Sequence, residues 1–304
     1  TNPNDPNTTI TNIGVGENIL QWTVDNGPCT NGVTTDQVSI RLYNDLAAEA
    51  DANVDQRFCE PQSSTTMNAT VPDAPGYGTW SVVSGSAVIA DINDPNTAVS
   101  GLVLGEAILR WTVYNGPCSN SNSFDEVSIF IFDDNQLVAN AGGDQDICTP
   151  QVSTTLSGNT YIFPATGTWT IVSGSGTILN PNDPNTTVTD LAIGANVFRW
   201  TIDNGPCPNG LTTDDVVINL FDSDQVPAAA GDDQEMCLPQ NSTTMSGSAI
   251  VGSSVGTWSI IAGSATIANN ADPNTAITDL VQGENIFVWS VDNGSCGVTT
   301  DTVS

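Results

Sequence analysis

The chain has 304 residues, with 34 acidic against 4 basic, no lysine and no histidine, for a net charge of −30. That balance argues against nucleic acid as a direct partner, because phosphate binding needs cations. It also removes Ser-His-Asp and Cys-His catalysis, Schiff-base lysines and the P-loop lysine.

From its start the chain reads as β structure. An Asp5-Pro6-Asn7-Thr8 turn precedes a strand in which Leu20, Trp22 and Val24 alternate with polar neighbours, followed by a second strand carrying Val38, Ile40 and Leu42. Period-two alternation of this kind puts one face in a core. The same features then return at a fixed step. Tryptophans stand at Trp22, Trp111, Trp200 and Trp289, each 89 residues after the last, and a second series, Trp80, Trp169 and Trp258, keeps that step. Asp-Pro-Asn recurs at Asp5, Asp94, Asp183 and Asp272. A fixed period of this length means an array of like domains. The expected organisation is the C-terminal half of a truncated Ig-like repeat over 1–46, full repeats over 47–135 and 136–224, and a repeat over 225–304 cut short in its last strand.

One unit can be followed in order through 47–135. A segment leads to Cys59; strands follow near 64–71 and over 78–83, the latter anchored by Trp80; short strands lie near 87–90 and 97–100. Between these two, Asp94-Pro95-Asn96-Thr97 reads as a turn, with Pro presetting φ and the Asp and Asn side chains able to bond nearby backbone. The clearest strand, 107–113, directs Leu109, Trp111 and Val113 inward and Ile108, Arg110 and Thr112 outward. The last carries Val127, Ile129 and Ile131. About seven short strands separated by Gly, Pro, Asn and Asp clusters define an all-β sandwich. All seven tryptophans, Trp22, Trp80, Trp111, Trp169, Trp200, Trp258 and Trp289, are assigned to the core rather than to sugar stacking. No apolar run approaches the ~20 residues of a membrane span, so direct membrane insertion is not expected.

The seven cysteines form two series with the same step: Cys29, Cys118, Cys207 and Cys296, and Cys59, Cys148 and Cys237. Pairing inside each unit gives Cys59–Cys118, Cys148–Cys207 and Cys237–Cys296. It leaves Cys29 unpaired by truncation, its mate lying upstream. The alternative, Cys29–Cys59, Cys118–Cys148 and Cys207–Cys237, crosses unit boundaries. The first is expected, because a bond inside a domain needs no particular docking between domains. Paired cysteines imply an oxidising location, and a zinc site would want clustered Cys and His.

Successive repeats carry no insertion, and the only length change is two residues missing after Cys296. Loose linkers tolerate length change, so packed junctions are expected, with Tyr43, Phe132 and Phe221 at their starts. The junctions are acidic. Asp133, Asp134, Asp144, Asp222, Asp224 and Asp233 are candidate calcium ligands, with solvated turns as the alternative. No other cofactor is expected.

The run Gly-Thr-Trp-Ser-Val-Val-Ser-Gly-Ser (78–86), then Asp-Pro-Asn-Thr (94–97), Leu-Arg-Trp-Thr-Val-Tyr-Asn-Gly-Pro-Cys (109–118) and Asp-Glu-Val-Ser-Ile (125–129) resembles the PKD/Ig-like repeats of giant Bacteroidota surface proteins. Among these are the SprB-like gliding-motility adhesins exported by type IX secretion. The resemblance implies tandem PKD-like sandwiches arranged as an extended rod, and a filament on the bacterial cell surface. It implies neighbouring repeats as partners, with a substratum or polysaccharide bound through other parts of the protein, and no catalytic residues. Two other readings stay open: repeated weak carbohydrate-binding modules acting by avidity, and spacer domains of a secreted polysaccharide-degrading enzyme.

Overall fold

The computed structural model describes residues 2–119 and 121–304. Two strands open it, β1 (Gly16–Asp25) and β2 (Val33–Leu42), paired antiparallel with Leu20 opposite Val38. Next come β3 (Gln56–Cys59), β4 (Ser64–Thr66), β5 (Tyr77–Ser84), β6 (Val88–Ile89), β7 (Ala98–Ser100), β8 (Gly105–Tyr114) and β9 (Asn122–Phe132). These make a seven-stranded sandwich of a four-stranded sheet, β3-β9-β8-β5, and a three-stranded sheet, β4-β7-β6. β3 runs parallel to β9, and the other pairings are antiparallel.

The arrangement is then repeated. β10 (Gln145–Cys148), β11 (Thr154–Thr155), β12 (Thr166–Ser173), β13 (Thr177–Ile178), β14 (Thr187–Thr189), β15 (Gly194–Asp203) and β16 (Leu211–Phe221) form the sheets β10-β16-β15-β12 and β11-β14-β13. In the last repeat, β17 (Thr243–Thr244), β18 (Val255–Ala262), β19 (Thr266–Ile267), β20 (Ala276–Thr278), β21 (Ile286–Asp292) and β22 (Val298–Val303) form β18-β21-β22 and β17-β20-β19. The fold is all-β, in tandem Ig-like sandwiches. By internal contacts the chain divides into two compact units. One comprises Thr1–Asn135, Phe163–Ala165 and Asn204–Gly210; the other comprises Gln136–Ile162, Thr166–Asp203 and Leu211–Ser304.

The alternation seen in the sequence is the alternation of burial. In β8, Leu109, Trp111 and Val113 are buried while Ile108, Arg110 and Thr112 are half-exposed, and Val127, Ile129 and Ile131 face them from β9. Trp80 and Trp111 lie opposite each other across β5 and β8, with ring centroids 5.1 Å apart; Trp169–Trp200 and Trp258–Trp289 repeat the pair at 5.0 Å. All six indoles are at most 2% exposed. A glycine makes room for each second ring. Gly78, Gly167 and Gly256 lie against Trp111, Trp200 and Trp289, and a Cβ at any of the three would overlap the ring.

Buried indole N–H groups need acceptors. Trp80, Trp169 and Trp258 donate to the carbonyls of Asp94, Pro184 and Pro273 in the Asp-Pro-Asn loops. Those loops are the predicted turns: Asp94, Asp183 and Asp272 Oδ1 each accept the N–H two residues on, at 2.9 Å. Thr97, Thr186 and Thr275 Oγ1 accept an N–H from the strand-leaving side. Trp111 donates to Thr70 O at 3.0 Å and Trp289 to Ser248 Oγ at 3.2 Å, but Trp200 Nε1 has no partner among the described residues. Trp111→Phe therefore deletes a hydrogen bond that Trp200→Phe does not. It is expected to cost its sandwich about 1 kcal/mol more, read from chemical denaturation of the two variants.

Trp22 corrects an expectation. It is 39% exposed, and Val24, Val38 and Leu42 are exposed with it. The face chosen from the pattern is the same as in β8, but β1 and β2 form a ribbon of two strands only. No facing sheet covers that ribbon among the described residues, and alternation buries a face only when a second layer lies over it.

Candidate functional site

The features that recur beyond the core concentrate where the turn after β8, β15 or β21 meets the residues that follow a last strand. Within the first unit, the turn 204–210 sits on the end of β9. Gly205, at φ +58°, lies against the Phe132 ring, and a Cβ there would come within 2.8 Å of it. Asn204 Nδ2 donates to Asp133 O at 2.7 Å. From the other side the Arg57 guanidinium covers Phe132 at 4.8 Å from the ring centroid, and Glu60 N donates to Phe132 O at 2.9 Å. Phe132 is 1% exposed. The second unit repeats this arrangement: Gly294, at φ +51°, lies against Phe221, and Asn293 Nδ2 donates to Asp222 O at 2.7 Å. An earlier copy pairs Gly116 with Tyr43 and Asn115 Nδ2 with Asn44 O at 2.8 Å. The predicted aromatic at the start of each junction is therefore the surface onto which an Asn-Gly turn docks. Glycine is needed there for its positive φ and for the close approach.

The same turn carries the disulfide, and at this point the structure overturns the sequence reading. Cys59 is bonded to Cys207 and Cys148 to Cys296, each pair 148 residues apart, with Cα atoms at 5.1 and 5.2 Å. Neither Cys59–Cys118, Cys148–Cys207 and Cys237–Cys296 nor the alternative set is formed. Cys118 and Cys237, expected to be paired, are free thiols, as is Cys29. The physical reason is the docking of the turn on the aromatic. The first strand of a sandwich ends beside its own last strand through the parallel pairing Cys59↔Phe132 and Cys148↔Phe221. The Asn-Gly turn that packs on that aromatic comes from the following repeat, so its cysteine is the one within bonding reach. In the last copy the turn is two residues shorter and closes as a 3-10 turn, Gly294–Cys296, yet it keeps the same partners.

The six aspartates proposed for calcium do not share one environment. Asp144 and Asp233 each accept a backbone N–H at 2.8 Å, from Val217 in β16 and from Ser304 just after β22, as Asp55 does from Ser128 in β9. Asp222 Oδ1 accepts Asp224 N at 2.9 Å. Only Asp133 and Asp134 come together, joined by Glu60, which the sequence reading missed. The three carboxylates lie within 4.8 Å of one another. In the next repeat the positions of Glu60 and Asp134 are held by Thr149 and Ser223, whose hydroxyls are hydrogen-bonded at 2.8 Å. Copying that pair by Glu60→Thr with Asp134→Ser is expected to raise stability by about 0.5 kcal/mol or less at low salt. The gain should fade as salt screens the carboxylates, which melting curves across ionic strength will show.

Charge elsewhere is arranged in cross-strand pairs. Arg199 Nε donates to Asp215 Oδ1 at 2.7 Å, Arg110 pairs with Glu126 and Arg41 with Glu17. The hydrogen bond from Arg199 holds the Asp215 carboxyl below the usual carboxylate range. A depressed folded value means stability that is present above the unfolded value, near 3.9 for Asp, and is lost as pH falls through the folded one. Arg199→Gln is thus expected to lower the melting temperature slightly near neutrality. The difference from the parent should close as pH drops below about 3.9, measured by a pH series of melts.

A cavity lies in the last sandwich, lined by Gln234, Glu284 and Asn285 together with Met245, Phe287 and Val303. In the two complete sandwiches the residues filling that place are Ile129 and Ile131, and Ile218 and Leu220, on the continuation of the last strand.

Sandwich, docked turn and staple together define a tandem, disulfide-linked Ig-like repeat protein. No family model matches the chain. A human protein, the dyslexia-associated protein KIAA0319, is 24% identical over 263 residues, covering 82% of this chain and 24% of that protein. The chain thus spans about a quarter of the length of the curated relative it matches. Among solved structures, the PKD domain of the KIAA 1837 protein is 27% identical over 28% of this chain and 85% of that one, with a TM-score of 0.25. An I-band fragment of titin is 8% identical over 84% of this chain and 98% of that one, with a TM-score of 0.33. The complete sandwiches are Ig-like in fold, each a four-stranded sheet packed with a three-stranded one. The disulfides point to an oxidising, extracellular-type environment, and among the described residues no helix is long and apolar enough to cross a membrane.

Proposed function

We propose that this chain is a stalk segment of a long extracellular surface adhesin, supplying reach and stiffness for attachment. The observation that carries this reading is the junction. An aromatic, an Asn-Gly turn, an Asn side chain on a backbone carbonyl and a disulfide recur together at Phe132–Cys207 and Phe221–Cys296. A clasp of that kind resists bending in every repeat, which suits a rod and adds nothing to catalysis. The repeat resemblance extends the reading to a filament on a bacterial outer surface, exported by type IX secretion and serving gliding. Its partners are then neighbouring repeats, with a substratum or polysaccharide bound by other parts of the protein. The carbohydrate-module reading is less well supported, since six of the seven periodic indoles are buried and offer no ring face for a sugar. A spacer role in a secreted polysaccharide-degrading enzyme uses the same stiffness, and no residue set in the chain suggests chemistry of its own. Small-angle scattering of the oxidised protein, with a glycan array beside it, tests the proposal. An elongated particle without glycan binding is expected. A freely jointed particle, or strong glycan binding, overturns the stalk reading.

A further inference from the structure

The four bonded cysteines lie in the order Cys59, Cys148, Cys207, Cys296, and the bonds join first to third and second to fourth. The two closed segments are therefore interlaced, neither nested nor side by side. Between Cys59 and Cys296 the backbone has three stretches: 59–148, 148–207 and 207–296. If the first is cut, the bond from Cys59 to Cys207 still joins the two sides. If the third is cut, the bond from Cys148 to Cys296 does. If the middle one is cut, both bridges remain. Bonds inside each repeat would have no such property, because a cut between 118 and 148 would separate the chain.

We propose that the interlaced disulfides make this chain a two-path covalent tether, in which one backbone cleavage anywhere between Cys59 and Cys296 leaves it continuous. The property serves a protein exposed to endoproteases, whose preferred targets are exposed loop tips with small or polar residues. The junction at Asp134 and Asn135 is such a place: both are exposed, and Leu137 beyond them is 70% exposed. With no lysine and four arginines, trypsin-like enzymes have few sites, so the protection matters against enzymes of other specificity. The same connectivity limits extension under load. From Cys59 to Cys296 the backbone has 237 residues, yet the shortest covalent path crosses both bridges, from Cys59 to Cys207, back along the backbone to Cys148 and over to Cys296, and uses only 59 residues. At about 3.4 Å per residue that is roughly 200 Å against roughly 800 Å. Some 600 Å of contour is thereby withheld until both disulfides are reduced. These properties belong to the covalent connectivity and hold whether or not the chain serves as a stalk.

The test uses the 304-residue protein with one recognition sequence for a site-specific protease inserted between Asp134 and Asn135. Thiols are blocked with N-ethylmaleimide before denaturing electrophoresis. After cleavage, a single full-length species is expected without reductant and two fragments with it. Two fragments without reductant would overturn the proposal. The Cys59→Ser, Cys207→Ser variant with the same insertion should separate without reductant; if it stays joined, another bond is responsible and the proposal fails. The cleaved parent needs no comparison with the variant, so misfolding of the variant leaves the test intact. Pulled from both termini, the uncut oxidised protein should release about 600 Å less contour than the fully reduced protein. Equal release would also overturn it.

Discussion

Three thiols per chain, those of Cys29, Cys118 and Cys237, are expected to react with a thiol reagent in the native oxidised protein, and peptide mapping should return Cys59–Cys207 and Cys148–Cys296. Pairing inside each repeat would leave only one reactive thiol, so the count alone separates the two connectivities. Reduction should then have a large effect. Closing a segment of 148 residues limits the unfolded chain by roughly 5 kcal/mol in the chain-entropy model. That full amount applies only if the closed segment unfolds as one. Tandem sandwiches need not unfold together, so a single sandwich melting alone should lose a fraction of it. Serine at Cys207 should act mainly on the first clasp and serine at Cys296 on the second. In calorimetry this would appear as one transition moving while the other holds. A reduced protein whose transitions did not move at all would contradict the clasp as a stabilising element.

Trp169→Ala is expected to destabilise its sandwich by about 3–5 kcal/mol, the cost of emptying a large aromatic site in a core that cannot collapse onto it. Trp169 is 1% exposed, packs on Trp200 and donates to Pro184 O. Truncation therefore removes packing and one of the two hydrogen bonds to Pro184 O, which keeps the Gly158 N–H. Gly167→Ala probes the same ring pair from the other side. Its new methyl would overlap Trp200, and overpacking of this kind costs about 1–3 kcal/mol. The two effects have opposite volume signs and a shared neighbour, so they should not add. Equilibrium denaturation of the single and double variants measures this. If Gly167→Ala were neutral, the glycine before each Thr-Trp pair would not be what makes room for the second indole.

The glycine and the tryptophan were legible in the sequence at different levels. Repetition at 89 residues marked Trp80, Trp111 and their copies as equivalent, and period-two alternation indicated their faces. The reason for the glycine two residues before Trp80 needed the cross-strand register, which sets Gly78 opposite Val113 and brings the Trp111 ring across it. The aromatic at each junction was read as a packing residue. Its partner, the glycine of the Asn-Gly turn, was visible only as a turn former.

What the sequence determined by itself is what depends on near neighbours along the chain. Strand faces follow from alternation, the Asp-Pro-Asn-Thr turns from an Asp side chain bonding the backbone two residues on, and the seven-strand unit from the spacing of those signals. What only the tertiary structure decided depends on groups far apart in sequence. Equal periods in two cysteine series are compatible with several pairings, and the docking of one repeat's turn on the preceding repeat's last strand selects partners 148 residues apart. Trp22 has the same local pattern as Trp111, yet burial requires a second layer, and none covers β1 and β2 among the described residues. Glu60 meets Asp133 and Asp134 because β3 ends parallel to β9. Each is a contact set by long-range packing, which a repeat period records as equivalence but does not specify as distance.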